Sequence, residues 1–415
     1  MRGSGALPRA LRGALAGTLL ASLPTLTACG PGGAQSPDKR ERAALQRVLE
    51  RQSAAVHSGS EREYLATLDP RAGRYRTAQR EVFRNLRRLP LTRLSYRVTE
   101  VRHTGRDGGS RTEAVARLDY RLRGDDRAPV TATERLAFVQ RDGRWYVGSE
   151  LPGSDRQLWE QGRLTPVRGE RSLVLGVGRG REELSALARE ADRAVRAVSR
   201  IWPREWPRRV VLEAPASLRA MAQLLDSPPS SYEGIAAVTT GQSERSAAAP
   251  ADRIVINPEA YGLLSQEGRQ VVVTHETVHV ATRTHTGPAT PMWLSEGLAD
   301  WAGYSVTGRE PADAAAELAR AVETGGAPRE LPSDADFRFG GDPGKLGRAY
   351  ESGWLACRLI AERWGEGKLL SFYLRVGEAE KTGGAGLDRA MREELGLTVA
   401  EFTERWRSYV SREVS

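Results

Sequence analysis

The stretch VVVTHETVHVATRTHTGPATPMWLSEGLADW, residues 271–301, decides how this chain is interpreted. Within it, His275, Glu276 and His279 spell H-E-x-x-H. Two histidines four residues apart on a helix lie one turn above each other, so both imidazoles can reach a single metal ion. The intervening glutamate then projects beside the ion, where its carboxylate can take a proton from water. The spacing therefore predicts a Zn²⁺ site with a general base next to it.

Two further side chains could supply the third ligand, His285 or Glu296. His285 follows His279 at the spacing of the metzincin pattern H-E-x-x-H-x-x-G-x-x-H, and Met292 offers the methionine that such sites use. That pattern needs a sharp backbone turn at its glycine, however, and the position is Thr282 here, whose branched side chain resists positive φ. We favour Glu296, and His285 stays as the alternative.

The residues between the two motifs support the choice of Glu296. Gly287 and Pro291 are expected to end the first helix, and the sequence from Trp293 predicts a second helix that folds back over the first. Asp300 follows Glu296 by four residues and so lies on the same helix face. From there it could accept the second ring N–H of a ligating histidine.

HETVH followed by WLSEGLADW resembles the gluzincin class of zinc peptidases, and especially the bacterial peptidase-MA-like family of secreted metallohydrolases. The resemblance covers roughly residues 170–412. It implies a zincin-like catalytic domain that hydrolyses peptide bonds in a peptide or protein substrate. It also implies roles for five residues: zinc ligands His275, His279 and Glu296, general base Glu276, and Asp300 as the residue that orients a ligand.

The same family carries a downstream helix with a tyrosine, and Tyr350 in YESGW stands at the matching place. The resemblance implies that its phenol donates a hydrogen bond to the oxyanion, and the alternative is a structural tyrosine. The glycine-methionine-glutamate-asparagine motif of a related aminopeptidase family does not occur in the sequence. Specificity for a free amino terminus is therefore not expected.

The N-terminus predicts export and lipid anchoring. Three arginines precede an apolar run at 14–28, an order typical of a secretory signal and too short for a comfortable membrane span. The run closes with LTAC, which resembles a bacterial lipobox and implies lipidation of Cys29. We expect a signal peptide at 1–28, a tether at 29–38, and a protein held at the extracytoplasmic face of the cell membrane. An ordinary signal peptide is the alternative.

The rest of the chain predicts an α+β fold in two domains. In the first, residues 39–150, two helical segments precede three strand-like runs, and the last run contains Asp142-Gly143, a strong hairpin signal between alternating strands. This order resembles the curled antiparallel sheet of the nuclear-transport-factor-2-like (cystatin-like) superfamily. The second domain, residues 151–415, alternates strands and helices and then reads as helices from about Tyr261, so we expect a small sheet followed by a helical bundle.

Strand GIAAVTT, residues 234–240, precedes the motif helix and could pair with an extended substrate, or it could be a plain edge strand. The glycines at 176, 178 and 180 do not have the spacing of a dinucleotide fingerprint, so we expect no phosphate loop. Cys357 is expected to be a small core residue.

The charge balance argues against a nucleic-acid partner. The formal net charge is +9, but 53 acidic residues are interspersed among 62 basic ones, and no basic stripe with interleaved aromatic residues occurs. A protein of a different class also fits the composition: a lipid-tethered binding or scaffold protein whose metal site is not catalytic. Chelator-sensitive hydrolysis distinguishes the two hypotheses.

Overall fold

The computed structural model describes residues 37–103, 111–240, 250–305, 307–379 and 384–414. The predicted signal peptide and Cys29 lie outside these residues. In the described part of the chain, no helix is long and apolar enough to cross a bilayer. The fold is mixed α+β, as predicted, and it contains a four-stranded antiparallel sheet, a five-stranded sheet and many helices.

The N-terminal unit places three helices against the antiparallel sheet. Its elements are α1 (Pro37–Ser58), α2 (Glu61–Ala66), α3 (Gly73–Arg88), β1 (Leu91–His103), β2 (Arg111–Leu122), β3 (Val130–Arg141) and β4 (Arg144–Glu150), with strand order β1-β2-β3-β4. Asp142 and Gly143 form the predicted hairpin, and both have positive φ, +48° and +76°. Positive φ at both central residues matches the right-handed twist of the flanking strands.

The three central strands of the second sheet are parallel, and the two edge strands are antiparallel to their neighbours. Its strands are β5 (Leu164–Arg168), β6 (Ser172–Val177), β7 (Val210–Ala214), β8 (Ala237–Thr240) and β9 (Arg253–Ile256), in the order β5-β6-β7-β9-β8. β5 and β8 each pair antiparallel with their single neighbour. The segment GIAAVTT therefore supplies an edge strand of this sheet.

Most of the remaining helices cover the face of this sheet that points away from the N-terminal unit, and they continue to the end of the described chain. The short helix α5 (Leu218–Leu224) instead packs on Val255, on the opposite face. The other helices are α4 (Arg181–Ile201), α6 (Pro258–Leu263), α7 (Gln266–Thr282), α8 (Met292–Tyr304), α9 (Pro311–Ala314), α10 (Ala316–Glu323), α11 (Pro343–Trp364), α12 (Glu366–Glu378), α13 (Gly384–Leu395) and α14 (Val399–Glu413). The segment 311–323 forms two short helices, because the backbone leaves the helical region at Ala315.

Helix α8 lies in direct backbone contact with α11. A Cβ atom on Gly297 would sit 2.5 Å from the carbonyl carbon of Gly353, and one on Gly353 would sit 2.7 Å from the carbonyl oxygen of Trp293. Such distances exclude any side chain larger than hydrogen at these two positions unless the helices move apart. Cys357, which follows on α11, is fully buried at this contact, as predicted.

The two units share a core and a set of ion pairs. Leu173, Leu175 and Val211 of the second sheet belong to the same apolar cluster as the helices and sheet of the N-terminal unit. In the loop between β2 and β3, the Asp126 carboxylate accepts hydrogen bonds from both terminal nitrogens of Arg253 at 2.9 and 3.1 Å. The second sheet is therefore buried between the N-terminal unit on one face and the helices on the other.

Candidate metal centre

Helix α7 carries both imidazoles of the candidate site. The helix begins after Ser265, whose side chain accepts a hydrogen bond from the backbone N–H of Gly268 at 3.1 Å. The valine-rich sequence is helical despite its strand propensity, since α7 packs against α4 on one side and α8 on the other. His275 and His279 then project from one face, with their Nε2 atoms 3.1 Å apart.

Glu296 closes the site from the first turns of α8. Its Oε2 atom lies 3.2 Å from Nε2 of His275 and 3.2 Å from Nε2 of His279. The three ligand atoms thus form a nearly equilateral triangle. In a tetrahedral zinc site with bonds of about 2.0–2.1 Å, ligand atoms are about 3.3–3.4 Å apart. Two neutral imidazoles and one carboxylate are also a common donor set for catalytic zinc, so the residues present fit this ion.

Asp300 fixes the orientation of the first imidazole. Its Oδ1 atom accepts a hydrogen bond from Nδ1 of His275 at 2.7 Å. With the proton on Nδ1, the lone pair of Nε2 points to the centre of the triangle, as a metal ligand requires. Asp300 therefore stands where the sequence spacing predicts, four residues after Glu296 on the same face.

The electrostatics of the cluster favour a positive charge at its centre. Burial alone would lower the pKa of His275, but Asp300 and then Glu296 raise it well above its ordinary value. Burial would likewise raise the pKa of Glu296, yet His279 and His275 hold it well below the usual range. Carboxylates that attract a proton onto a buried imidazole provide the same negative potential to a metal cation.

The structure does not bring His285 to this cluster. Beyond the end of α7, its backbone N–H donates to the carbonyl oxygen of Thr282 at 2.7 Å, and its ring packs against Trp202 with the centroids 5.7 Å apart. Among the described residues, the group with metal-compatible geometry is His275, His279 and Glu296. Of the two candidates for the third ligand, the structure assembles Glu296 with the imidazoles.

Glu276 is buried beside the triangle and is held by a residue that sequence reasoning missed. The hydroxyl of Thr239, on edge strand β8, donates a hydrogen bond to Oε2 of Glu276 at 2.6 Å. The only sequence signal for Thr239 was its place in GIAAVTT, which was noted for its backbone and not for this side chain.

Tyr350 reaches the same site from α11. Its ring centroid lies 6.1 Å from that of His275 and 5.3 Å from that of Phe337. Burial raises the pKa of Tyr350 well above its ordinary value, and the negative charges of Glu296 and Asp300 add to this effect. The phenol is therefore protonated at neutral pH and can act as a hydrogen-bond donor.

An open cavity of about 480 Å³ leads to these residues. Strand β8 forms one wall, and apolar side chains line much of the rest: Ile235, Val238, Met292, Phe337 and Phe339. Phe339 is 40% exposed, unusual for a large apolar residue in this structure, and its ring packs on Tyr232. The cavity combines an apolar wall with a polar floor that carries the two histidines and two glutamates.

Comparison of the chain with models of known protein families gave no match, and comparison with curated proteins gave none either. The resemblance to gluzincins therefore depends on the motif residues themselves.

Proposed function

We propose that the chain is a zinc-dependent peptidase of the gluzincin type. The observation that carries this proposal is the triangle of His275, His279 and Glu296, with sides of 3.1, 3.2 and 3.2 Å. Two neighbours make the triangle suitable for hydrolysis and not only for metal binding: Glu276 and Tyr350, both of which line the same open cavity.

Zn²⁺, when bound by these three residues, would supply the Lewis acid that makes water nucleophilic near neutral pH and polarises a carbonyl group. The chain's own residues would do the rest. The carboxylate of Glu276 would accept the proton of the attacking water and pass it to the departing amine nitrogen. The hydroxyl of Tyr350 would donate a hydrogen bond to the carbonyl oxygen as negative charge develops on it.

A peptide is the substrate class that the cavity favours. Strand β8 is an edge strand that lines the cavity, so an extended backbone could add to the sheet beside the metal centre. The apolar wall with Phe337 and Phe339 suits the side chains of such a peptide. We expect no nucleic-acid partner.

The finer fold and the location belong to the same proposal. We assign the N-terminal unit to the nuclear-transport-factor-2-like (cystatin-like) type, since helices precede and cover a four-stranded antiparallel sheet. We assign the second unit to the zincin-like type, since the helix with both histidines packs beside a sheet with an antiparallel edge strand. Lipidation of Cys29 would hold the protein at the extracytoplasmic face of the membrane, and loss of fatty-acid labelling in Cys29→Ser would test it.

The central test is Glu276→Gln in the mature protein, with activity measured on a peptide library by mass spectrometry. We expect zinc to stay bound and the rate to fall by about 10²–10⁴-fold, the usual contribution of a general base. Glu267→Gln, in the first turn of the same helix, serves as the control. Wild-type protein without chelator-sensitive hydrolysis, or an active Glu276→Gln variant, would overturn the proposal.

The ligand assignment has its own test in zinc stoichiometry. Glu296→Ala should lose the metal, whereas His285→Ala should keep one zinc per chain, because its ring packs on Trp202 outside the cluster. Loss of zinc in the His285 variant alone would restore the metzincin alternative.

A further inference from the structure

Thr239 makes an unusual pair of contacts with the proposed base. Its hydroxyl oxygen lies 2.6 Å from Oε2 of Glu276 and 3.1 Å from the backbone carbonyl oxygen of the same residue. The two residues are 37 positions apart in sequence, on β8 and α7. Thr239 is itself fixed by the pairing of β8 with β9, in which it stands opposite Ile254.

The two acceptors differ in strength. A hydroxyl has a single proton, and an ionised carboxylate is a stronger acceptor than a neutral carbonyl, so the proton points to Oε2. Oε1 of Glu276 is left for other partners. The side chain of a glutamate has three rotatable bonds, and a short hydrogen bond at its end removes much of this freedom.

The same hydrogen bond persists when Glu276 holds a proton during turnover. Because Thr239 occupies Oε2, the proton from water lies on Oε1, and Oε2 still accepts from the Thr239 hydroxyl as the carbonyl oxygen of the acid. Thr239 can thus hold Glu276 in both of its states through one contact.

We propose that Thr239 is a positioning residue that holds the Glu276 carboxylate toward the metal centre. This inference rests on the proposed peptidase function. Since β8 is also the strand proposed to pair with substrate, the same short strand would align both the peptide and the base.

The experiment compares Thr239→Val, which keeps the shape and removes the hydroxyl, with Thr239→Ser, which keeps the hydroxyl. Thr277→Val is the matched control: Thr277 is fully buried next to Glu276, but its hydroxyl donates to the carbonyl of Val273 in its own helix. For each variant we would measure kcat and KM on a peptide that the wild type cleaves, zinc content, and a crystal structure of the zinc-free protein.

We expect kcat of Thr239→Val to fall by about 10- to 100-fold, in the range typical of residues that orient a metal site, with KM within about twofold and one zinc per chain. Thr239→Ser should recover kcat to within about threefold, and Thr277→Val should match the wild type. In crystals of Thr239→Val, the Glu276 carboxylate should leave its position or occupy two rotamers.

The inference is overturned by a Thr239→Val variant with wild-type kcat, by equal losses in Thr277→Val, or by a carboxylate that keeps its single rotamer. If Thr239→Val does not fold, a comparison of kcat between Thr239→Ser and Thr239→Ala tests the same inference. Failure of the peptidase proposal is seen separately, as a wild type with no chelator-sensitive hydrolysis, and the crystal comparison still tests the hydrogen bond.

Discussion

Replacement of Gly297 by alanine tests whether the contact between α8 and α11 holds Glu296, the proposed third ligand, in place. The added Cβ would lie 2.5 Å from the carbonyl carbon of Gly353 and 2.9 Å from the sulfur of Cys357. Carbon atoms pack at about 3.5–4.0 Å, so the two helices must separate by about 1 Å. Glu296 is the adjacent residue and moves with α8.

Two opposing effects set the size of the change in stability. Overpacking of a rigid contact costs about 1–3 kcal/mol. Alanine gains up to about 1 kcal/mol over glycine inside a helix. A net loss of about 1–2 kcal/mol is expected. The effect on zinc binding should be larger than the effect on stability. Functional groups must be held within about 0.5 Å of their working positions, and the shift of α8 is about twice that. We expect zinc affinity to fall by at least about tenfold, comparable to loss of an orienting residue.

The assay is zinc titration against a competing chelator, together with chemical unfolding of the zinc-free protein. Gly367→Ala is the control, since a Cβ there meets nothing within 4 Å and φ is not positive. That variant should be as stable as the wild type or more stable. A Gly297→Ala variant with wild-type zinc affinity would show that the close helix contact does not determine the position of Glu296.

Three further predictions follow from contacts around and away from the site. Asp300→Asn should bind zinc about 10- to 100-fold more weakly by chelator competition, because the amide holds His275 less firmly; unchanged affinity would contradict its orienting role. Arg253→Met should lower the free energy of unfolding by about 3–5 kcal/mol in denaturant titrations, since the Asp126 carboxylate is left buried without its partner; a loss below about 1 kcal/mol would contradict this. Hydrogen bonds from Arg141 lower the pKa of Asp69, so this carboxylate stabilises the fold above the ordinary aspartate pKa of about 4 and loses that effect as the pH falls through the lowered pKa. Asp69→Asn should therefore be less stable than wild type at pH 7, with the difference shrinking at pH 3, and a constant difference would refute the assignment.

The side chains of the candidate metal site could be predicted because their geometry is mostly local. H-E-x-x-H brings two candidate ligands together through helix spacing alone, and Asp300 follows Glu296 by one helical turn. The choice between His285 and Glu296 depended on two arguments: Thr282 resists the turn which a glycine would make, and the residues between the motifs predict a second helix that folds back over the first. In the structure, α7 ends at Thr282 and Pro291 caps the start of α8, which brings Glu296 to the imidazoles.

Thr239 could not be predicted for the opposite reason. Its contact with Glu276 depends on where the sheet edge lies relative to α7, and no spacing in the sequence encodes that distance. The close approach of Gly297 to Gly353 is equally non-local. Glycines inside helices suggest such contacts, but the sequence does not say which helix approaches.

A hairpin was predictable where turn chemistry is strong, and a strand was missed where a proline interrupts it. Asp142-Gly143 determined a hairpin, and the alternating runs around it became β3 and β4. Strand β5 was not predicted, since five residues interrupted by Pro166 have little strand character, and proline is tolerated there because β5 is an edge strand. The break at Ala315 also carries no glycine or proline signal.

The N-terminal unit supports the candidate metal centre through the second sheet. Asp126 accepts hydrogen bonds from Arg253 of β9 and from the backbone N–H of Ala251 at 3.2 Å, just before that strand begins. β9 in turn pairs with β8, where Thr240 stands opposite Arg253. The preceding residue, Thr239, donates the hydrogen bond to Glu276. Buried charges are costly unless paired, so the ion pair fixes how the loop between β2 and β3 meets the sheet. The face of the second sheet next to this ion pair is also apolar and is covered by the N-terminal unit. The N-terminal unit therefore buries one face of the second sheet, and the edge strand that aligns the proposed base is supported from outside the unit that carries the proposed metal ligands.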